Sequence, residues 1–202
     1  MYANGRLLFS LGVTGSTLAC LIQKGRIVME VRKGKKSDIA DIGKIYENIH
    51  DAEEKGLATI GWIRNVYPTE KTAEDALNRG DLFVMTEDDG IVAAAVINQT
   101  QVDEYKYASW KHIAADNEVM VLHALVVDPF RKGKGYGRAF VSFYENYAKQ
   151  HGYCALRMDT NARNVRARSL YKSLGYEEVG IVSCEFNGIP NVQLVCLEKF
   201  LG

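Results

Sequence analysis

The sequence predicts a single α/β domain in which a mixed sheet is flanked by helices. Three observations lead there. Strand-like and helix-like segments follow the order strand, two or three helices, three strands, helix, strand, helix, two strands, which is not a simple alternation. Two turn dipeptides, Asp89-Gly90 and Asn187-Gly188, each separate β-rich runs and mark hairpins. The chain has 202 residues, 47% of them hydrophobic and 25% charged, the size and make-up of one soluble domain with a core of its own.

The composition also excludes function classes. Lys+Arg and Asp+Glu balance at 25 each, so no global basic field exists to draw nucleic acid or a membrane surface, and neither partner is expected. Cys20, Cys154, Cys184 and Cys196 form no C-x-x-C pair and no zinc-finger spacing, so they read as small hydrophobes in a reducing compartment. A cytoplasmic protein without a metal is the expectation.

Residues 1–28 read as an extension of uncertain role. Leu7 to Ile22 is apolar behind Arg6, and Thr17-Leu18-Ala19-Cys20 has a faint likeness to a lipoprotein cleavage site. A single basic residue, interruptions by Gly and polar residues, and a length too short for a bilayer weigh against a targeting segment. The bland reading is a strand or helix packed on the domain. Met29, at the head of the next β-rich run, is an alternative start.

From there the elements follow in order. Ile27 to Arg32 is β-rich. Ser37 and Asp38 offer an N-cap, and Ile39, Ile42, Ile45, Tyr46 and Ile49 recur at helical spacing as far as Lys55. Trp62 to Tyr67 is ambiguous and stops at Pro68. Thr72 to Arg79 reads as a short helix ended by Gly80. Asp81–Thr86 and Ile91–Asn98 form the first hairpin, with Glu87-Asp88-Asp89 as a solvated tip. Gln99 to Asn117, polar and aromatic, reads as an inserted loop or short helix. Val119–Val127 is an apolar strand, Arg138–Gln150 a helix, Ala155–Asp159 a strand and Val165–Leu174 a helix. Val179–Phe186 and Val192–Glu198 close the chain.

The informative segment lies between the apolar strand and the helix after it: Arg131-Lys132-Gly133-Lys134-Gly135-Tyr136-Gly137-Arg138. Glycines at alternate positions let backbone N–H groups approach an anion, and the following helix adds free N–H donors and the positive end of its dipole. Arg131, Lys132, Lys134 and Arg138 surround it with positive charge. The segment reads as a pyrophosphate cradle. It is not a Walker A loop, because Gly133-Lys134 is followed by Gly135 rather than Ser or Thr. Nor is it a dinucleotide fingerprint, because the third glycine position holds Arg138.

This segment resembles the acetyl-CoA loop of the GNAT superfamily of N-acetyltransferases, Q/R-x-x-G-x-G/A, with Lys132 standing where that family usually has Gln or Arg. A second segment, Asn164-Val-Arg-Ala167-Arg-Ser-Leu170-Tyr171-Lys-Ser-Leu174-Gly175-Tyr176, is similar to the family's N-x-x-A-x-x-L-Y-x-x-x-G-F/Y. The specific matches fall within residues 119–180, and the pattern extends over residues 29–202 as the transferase domain. The resemblance implies a mixed, mostly antiparallel sheet flanked by helices. It implies acetyl-CoA as co-substrate and a primary amine as acceptor, with direct attack in a ternary complex and no metal.

It also implies roles for residues. Backbone at Leu125, Val126 and Val127 would hold the pantetheine arm and orient the thioester. Lys132, Gly133, Lys134, Gly135, Tyr136, Gly137 and Arg138 would hold the pyrophosphate. Asn164 would hydrogen-bond nearby, and Arg163, Arg166 and Arg168 either reach the 3′-phosphate or form a solvated face. Tyr171 matches the general acid, protonated at neutral pH with an ordinary pKa of about 10; it equally fits a packing face with Leu170 and Leu174. For the base, strand alternation puts Val119, Val121, His123, Leu125 and Val127 on one face. His123 stands where several members have Glu, and a core histidine is its competing reading; Glu118 is the other candidate. Trp62, Tyr67, Glu70, Tyr105, Tyr107 and Trp110 are candidate walls of the acceptor pocket. Two alternatives remain: a non-catalytic acyl-CoA-binding or sensor module of the same fold, and a nucleotide-binding protein. Pairing of the closing hairpin across a homodimer also stays open.

Overall fold

The structure is a computed structural model that describes residues 11–13, 18–20, 29–88, 90–131 and 133–202. Among these residues nine strands form one sheet. They are β1 (Leu11–Val13), β2 (Leu18–Cys20), β3 (Met29–Lys33), β4 (Leu82–Glu87), β5 (Gly90–Asn98), β6 (Val119–Val127), β7 (Ala155–Asn161), β8 (Glu177–Phe186) and β9 (Ile189–Phe200). Their order is β1-β2-β3-β4-β5-β6-β7-β9-β8, antiparallel throughout except between β6 and β7. The expected mixed, mostly antiparallel sheet is therefore present. β1 and β2 are three-residue pieces at its edge; the reading of Leu7 to Ile22 as a weak targeting segment otherwise falls outside the described residues. No helix among the described residues is long and apolar enough to cross a membrane.

Helices cover both faces. α1 (Ile39–Glu54) and α2 (Glu70–Arg79) lie on one, where Ile42, Ile45 and Ile49 meet Val84, Ala94 and Val126. α3 (Tyr136–Gln150) and α4 (Val165–Ser173) lie on the other, where Phe140, Val141 and Tyr144 meet Met120, Leu122, Leu156 and Met158. Full burial of side chains of this size stabilises by roughly 1.5–3 kcal/mol each. A third cluster, on the α1–α2 face at the β8–β9 end, packs Val119 and Val121 against Val182, Leu194 and Cys196.

The insertion between β5 and β6 settles on this third cluster by polar contacts that strand alternation supplies. Arg157 and Glu198 are directly paired on β7 and β9, and both are buried. The Arg157 guanidinium lies 4.1 Å from the centre of the Trp110 ring, and Glu198 accepts from the Lys111 backbone N–H at 2.6 Å. The segment forms two short 3-10 turns, Asp103–Tyr107 and Asp116–Glu118, and buries Tyr105.

β6 departs from regular alternation. Ala94 pairs with Val126 and Val96 with His123, so two β6 residues oppose Ala95 alone. Ala124 takes up the extra residue with φ at +49°, in the left-handed region. This β-bulge overturns the single-face expectation for β6. His123 shares the α1–α2 face with Val119 and Val121, whereas Leu125 and Val127 point with Met120 and Leu122 to the α3–α4 face. The bend also opens the sheet. Parallel pairing runs from Val119–Ala155 to Leu122–Met158 and stops; beyond it β6 follows β5, while β7 continues with β9 to Asn161. The two strands splay into a fork.

Candidate active site

A cavity of about 970 Å³ occupies the fork and reaches both faces of the sheet. On the α3–α4 side its walls include Gly133, Gly135, Arg138, Asn164 and Tyr171. The arms of the fork supply His123 to Val127 and Asp159 to Asn161. On the α1–α2 side stand Trp62, Tyr67, Phe186 and Ile189.

The glycine loop presents its backbone to the cavity. Gly133 and Gly135 have φ of +85° and +77°, and a Cβ built on either would meet nothing within 4 Å. Gly135 is the N-cap of α3, so the helix begins at Tyr136, two residues earlier than periodicity suggests, and its free N–H groups open onto the cavity. Gly137 serves a different need: a Cβ there would stand 3.1 Å from Leu170 Cδ2, so its absence lets α3 approach α4. Where β6 leaves β7, the backbone N–H and C=O groups that a neighbouring strand would pair are free for a ligand. An extended, anionic ligand such as acetyl-CoA fits this donor set.

Other predicted loop residues act differently. Lys134 donates to Glu87 Oε2 at 2.8 Å and does not line the cavity. Tyr136 donates its hydroxyl to the same oxygen at 2.6 Å, and Arg131 stands 3.8 Å away. Glu87 is therefore no solvated hairpin tip. It is 4% exposed, and although burial works to raise its pKa, the bonds from Lys134 and Tyr136 hold the carboxyl below its ordinary value. It ties the loop to the β4–β5 hairpin, a role sequence reasoning missed. Lys132 lies outside the described residues. Asn164 is the N-cap of α4; its Oδ1 accepts from Ala167 N–H at 3.1 Å, which leaves its amide NH₂ for a ligand. Arg166 lines the cavity, while Arg168 pairs with Glu178 at 2.7 Å and Arg163 stands 3.7 Å from Glu53.

Tyr171 and His123 both reach the cavity. Tyr171 is 7% exposed, and no described residue hydrogen-bonds its hydroxyl; burial first, then the charge of Asp159, raise its pKa and keep it protonated. His123 Nε2 lies 3.1 Å from both Asn98 Oδ1 and Thr100 O. Asn98 donates its amide to Asp81 at 2.8 Å, so its oxygen faces the imidazole as an acceptor. Nε2 thus carries the proton and Nδ1 keeps its lone pair. Burial lowers the His123 pKa to about 4, against the opposing pull of Thr100 and Asp81, and the ring is neutral at physiological pH. Glu118 is not brought to the cavity. It ends a 3-10 turn at the far end of β6, where its carboxylate accepts from Ala115 N–H at 2.8 Å.

Of the expected acceptor walls, Trp62 and Tyr67 line the cavity, with ring centres 5.7 Å apart and edge to face. Tyr107 is exposed, Glu70 does not reach the cavity, and Trp110 is spent on Arg157. Tyr105 lies behind the wall and donates to Asp159 Oδ2 at 2.8 Å. Asp159, which sequence reasoning passed over, lines the cavity with its pKa pushed up to about 6 by burial.

Comparison with known proteins decides the family. The Acetyltransferase (GNAT) family profile matches residues 46–176, more than half of the chain. The chain belongs to the GNAT acetyltransferase family. Among its relatives, the uncharacterized N-acetyltransferase YhfO of Bacillus subtilis is 27% identical over 151 residues, 74% of this chain and 91% of that protein. The GNAT fold is matched by a GNAT family acetyltransferase of Streptococcus agalactiae, with a TM-score of 0.73, 19% identity, and coverage of 86% of this chain and 96% of that one. It is matched also by YncA of Salmonella typhimurium, solved with its cofactor acetyl-CoA. There the TM-score is 0.60 at 19% identity, over 86% of this chain and 94% of that one. At such identities the likeness is one of fold. In this GNAT chain the match spans the sheet fork, the glycine loop and α4, the parts that wall the cavity.

Proposed function

We propose that the chain, with residues 29–202 as its catalytic domain, is an acetyl-CoA-dependent N-acetyltransferase acting on a primary amine by direct attack in a ternary complex. The observation that carries this reading is the cavity running through the fork from the glycine cradle on one face to an aromatic-lined chamber on the other. Two substrates entering from opposite faces meet between the arms of the sheet, which supports direct transfer without a covalent enzyme intermediate. The acetyl-CoA complex of YncA supports the choice of donor.

Each residue has a task in this reading. The N–H groups at Gly133, Gly135 and the first turn of α3 hold the pyrophosphate, with Arg138 beside them. The free edge at Leu125 to Val127 aligns the pantetheine arm, and a backbone N–H there stabilises the developing oxyanion. Tyr171 holds its proton at the phenol oxygen until the departing thiolate takes it. His123, fixed through Asn98 and Thr100, presents Nδ1 as an acceptor beside the incoming amine.

The test is thermal unfolding with acetyl-CoA, CoA, ATP and NAD in parallel. A ligand at one hundred times its dissociation constant stabilises the native state by about 2.7 kcal/mol. That corresponds to a rise of roughly 5–10 °C for a domain of this size. A rise with acetyl-CoA and CoA alone is expected. No rise with either refutes the reading.

A further inference from the structure

We propose that Asp159 receives the ammonium group of the acceptor and removes its proton, and that this acceptor is a primary amine on an apolar body. The inference rests on the acetyl-transfer reading above and adds to it the base and the substrate class.

The last paired residues of β6 and β7 are Leu122 and Met158. One step further on, His123 and Asp159 stand on opposite arms of the fork. Both are on the α1–α2 face, since His123 follows Val119 and Val121 and Asp159 follows Ala155 and Arg157 at period two. An amine entering from that face, toward a thioester aligned on β6, passes between them.

Asp159 Oδ2 accepts one hydrogen bond, from Tyr105, and the carboxylate forms no ion pair among the described residues. The titratable groups that face it are the neutral His123 across the fork, Glu104 and Tyr105 from the insertion, Tyr67 from the loop before α2, Tyr171 from α4, Cys184 from β8 and Cys196 from β9. None is a cation. A carboxylate withdrawn from water without a counter-ion is costly, and a ligand ammonium supplies the missing charge. Burial raises the Asp159 carboxyl to about 6 and lowers His123 to about 4, so of the two groups at the fork the carboxylate is the better-matched acceptor for the ammonium proton.

Trp62, Tyr67, Phe186, Ile189 and Leu194 form the chamber walls on this face. They suit an aromatic or branched apolar body. Arg166 and Arg79, the latter paired with Asp81 at 2.9 Å, border the cavity together with Asp75 and Asp128, so it is the apolar walls beside Asp159 that disfavour a polycation.

The step balances as follows. The Asp159 carboxylate takes one proton from R–NH₃⁺, leaving R–NH₂ and a neutral acid. The nitrogen lone pair forms the C–N bond to the acetyl carbonyl carbon, and the C–S bond breaks with its electron pair on sulfur. Tyr171 gives its proton to that sulfur and regains one from the nitrogen, and Asp159 releases its proton to solvent. The products are the amide, the free thiol and one proton.

The experiment uses the whole chain with acetyl-CoA and two probes, 2-phenylethylamine and spermidine. Wild type is expected to acetylate 2-phenylethylamine far better than spermidine, with kcat/KM falling below about pH 6. Asp159→Asn should lower kcat/KM for 2-phenylethylamine by about 10²–10⁴-fold and remove the acidic limb. It should also bind that amine at least about tenfold more weakly by calorimetry with CoA present, the expectation when one ion pair is lost, while keeping the wild-type thermal shift with acetyl-CoA. Tyr105→Phe removes a bond that favours the ionised carboxylate, so its acidic limb should move to higher pH while turnover at pH 8 is kept. A wild-type rate and limb in Asp159→Asn, an unmoved limb in Tyr105→Phe, preference for spermidine, or no turnover of 2-phenylethylamine by a chain that acetyl-CoA stabilises each overturn the proposal. A wild-type chain that acetyl-CoA does not stabilise sinks the acetyl-transfer reading and this inference with it.

Discussion

Asp159→Asn should make the protein more stable at neutral pH. Asparagine keeps an oxygen for the Tyr105 hydroxyl and loses only the ionisation. An aspartate in an unfolded chain titrates near 3.9, and in the folded protein burial carries Asp159 to about 6. The gap of about two pH units corresponds to roughly 3 kcal/mol. Its sign follows from proton binding: between these two values the folded state holds the proton more tightly, so wild-type stability falls as pH rises through the interval. Asp159→Asn escapes that loss. The two proteins should melt together below about pH 4, diverge between pH 4 and 6, and differ by a constant amount above about pH 7. At roughly 2–4 °C per kcal/mol for a chain of this length, the plateau is an increase of roughly 6–12 °C. Calorimetry from pH 4 to 8 measures it. A difference that is absent, negative or independent of pH would refute the account of Asp159 as a lone carboxylate withdrawn from water.

Three further outcomes are expected. Tyr136→Phe should cost about 2 kcal/mol by removing a buried hydrogen bond to a charged acceptor; the loss should fall to about 1 kcal/mol in a Glu87→Gln background, whose amide oxygen still accepts but carries no charge, as a double-mutant cycle by denaturant unfolding would show. Tyr171→Phe should lower kcat with little change in acetyl-CoA affinity, and undiminished turnover would make Tyr171 a packing residue. Gly135→Val strains a position at φ +77° and fills the space of the cradle, so calorimetry should find no acetyl-CoA binding in a chain that still folds; retained affinity would mean that the loop is not the pyrophosphate site.

Local signals carried much of the architecture. Gly90 of the first turn dipeptide opens β5 behind β4, Asn187-Gly188 falls between β8 and β9, and the isoleucine spacing from Ile39 to Ile49 is the buried stripe of α1. The alternate glycines and the Asn164–Tyr176 segment identified two walls of the cavity. What escaped depends on partners distant in the chain. Glu87 read as solvated because its neighbours are turn residues, yet its burial depends on Tyr136, 49 residues away. The bulge at Ala124 leaves no mark in composition, since alanine is an unremarkable strand residue, and it reverses the facing of Leu125 and Val127. Asp159 looked like the polar end of a strand. Only the splayed partner strand and the Tyr105 hydroxyl, 54 residues away, make it a half-buried acid at the fork.

The fork also bears on mechanics. Four residue pairs, from Val119–Ala155 to Leu122–Met158, are the direct seam between the leaf that ends in β6 and the leaf of β7, β9 and β8. A ligand lying along β6 substitutes for a missing strand, so occupancy lengthens the seam and couples the leaves. Amides from Ala124 to Val127 should then gain protection from hydrogen exchange on ligand binding well beyond the few that touch it, because the two halves of the sheet stop breathing apart.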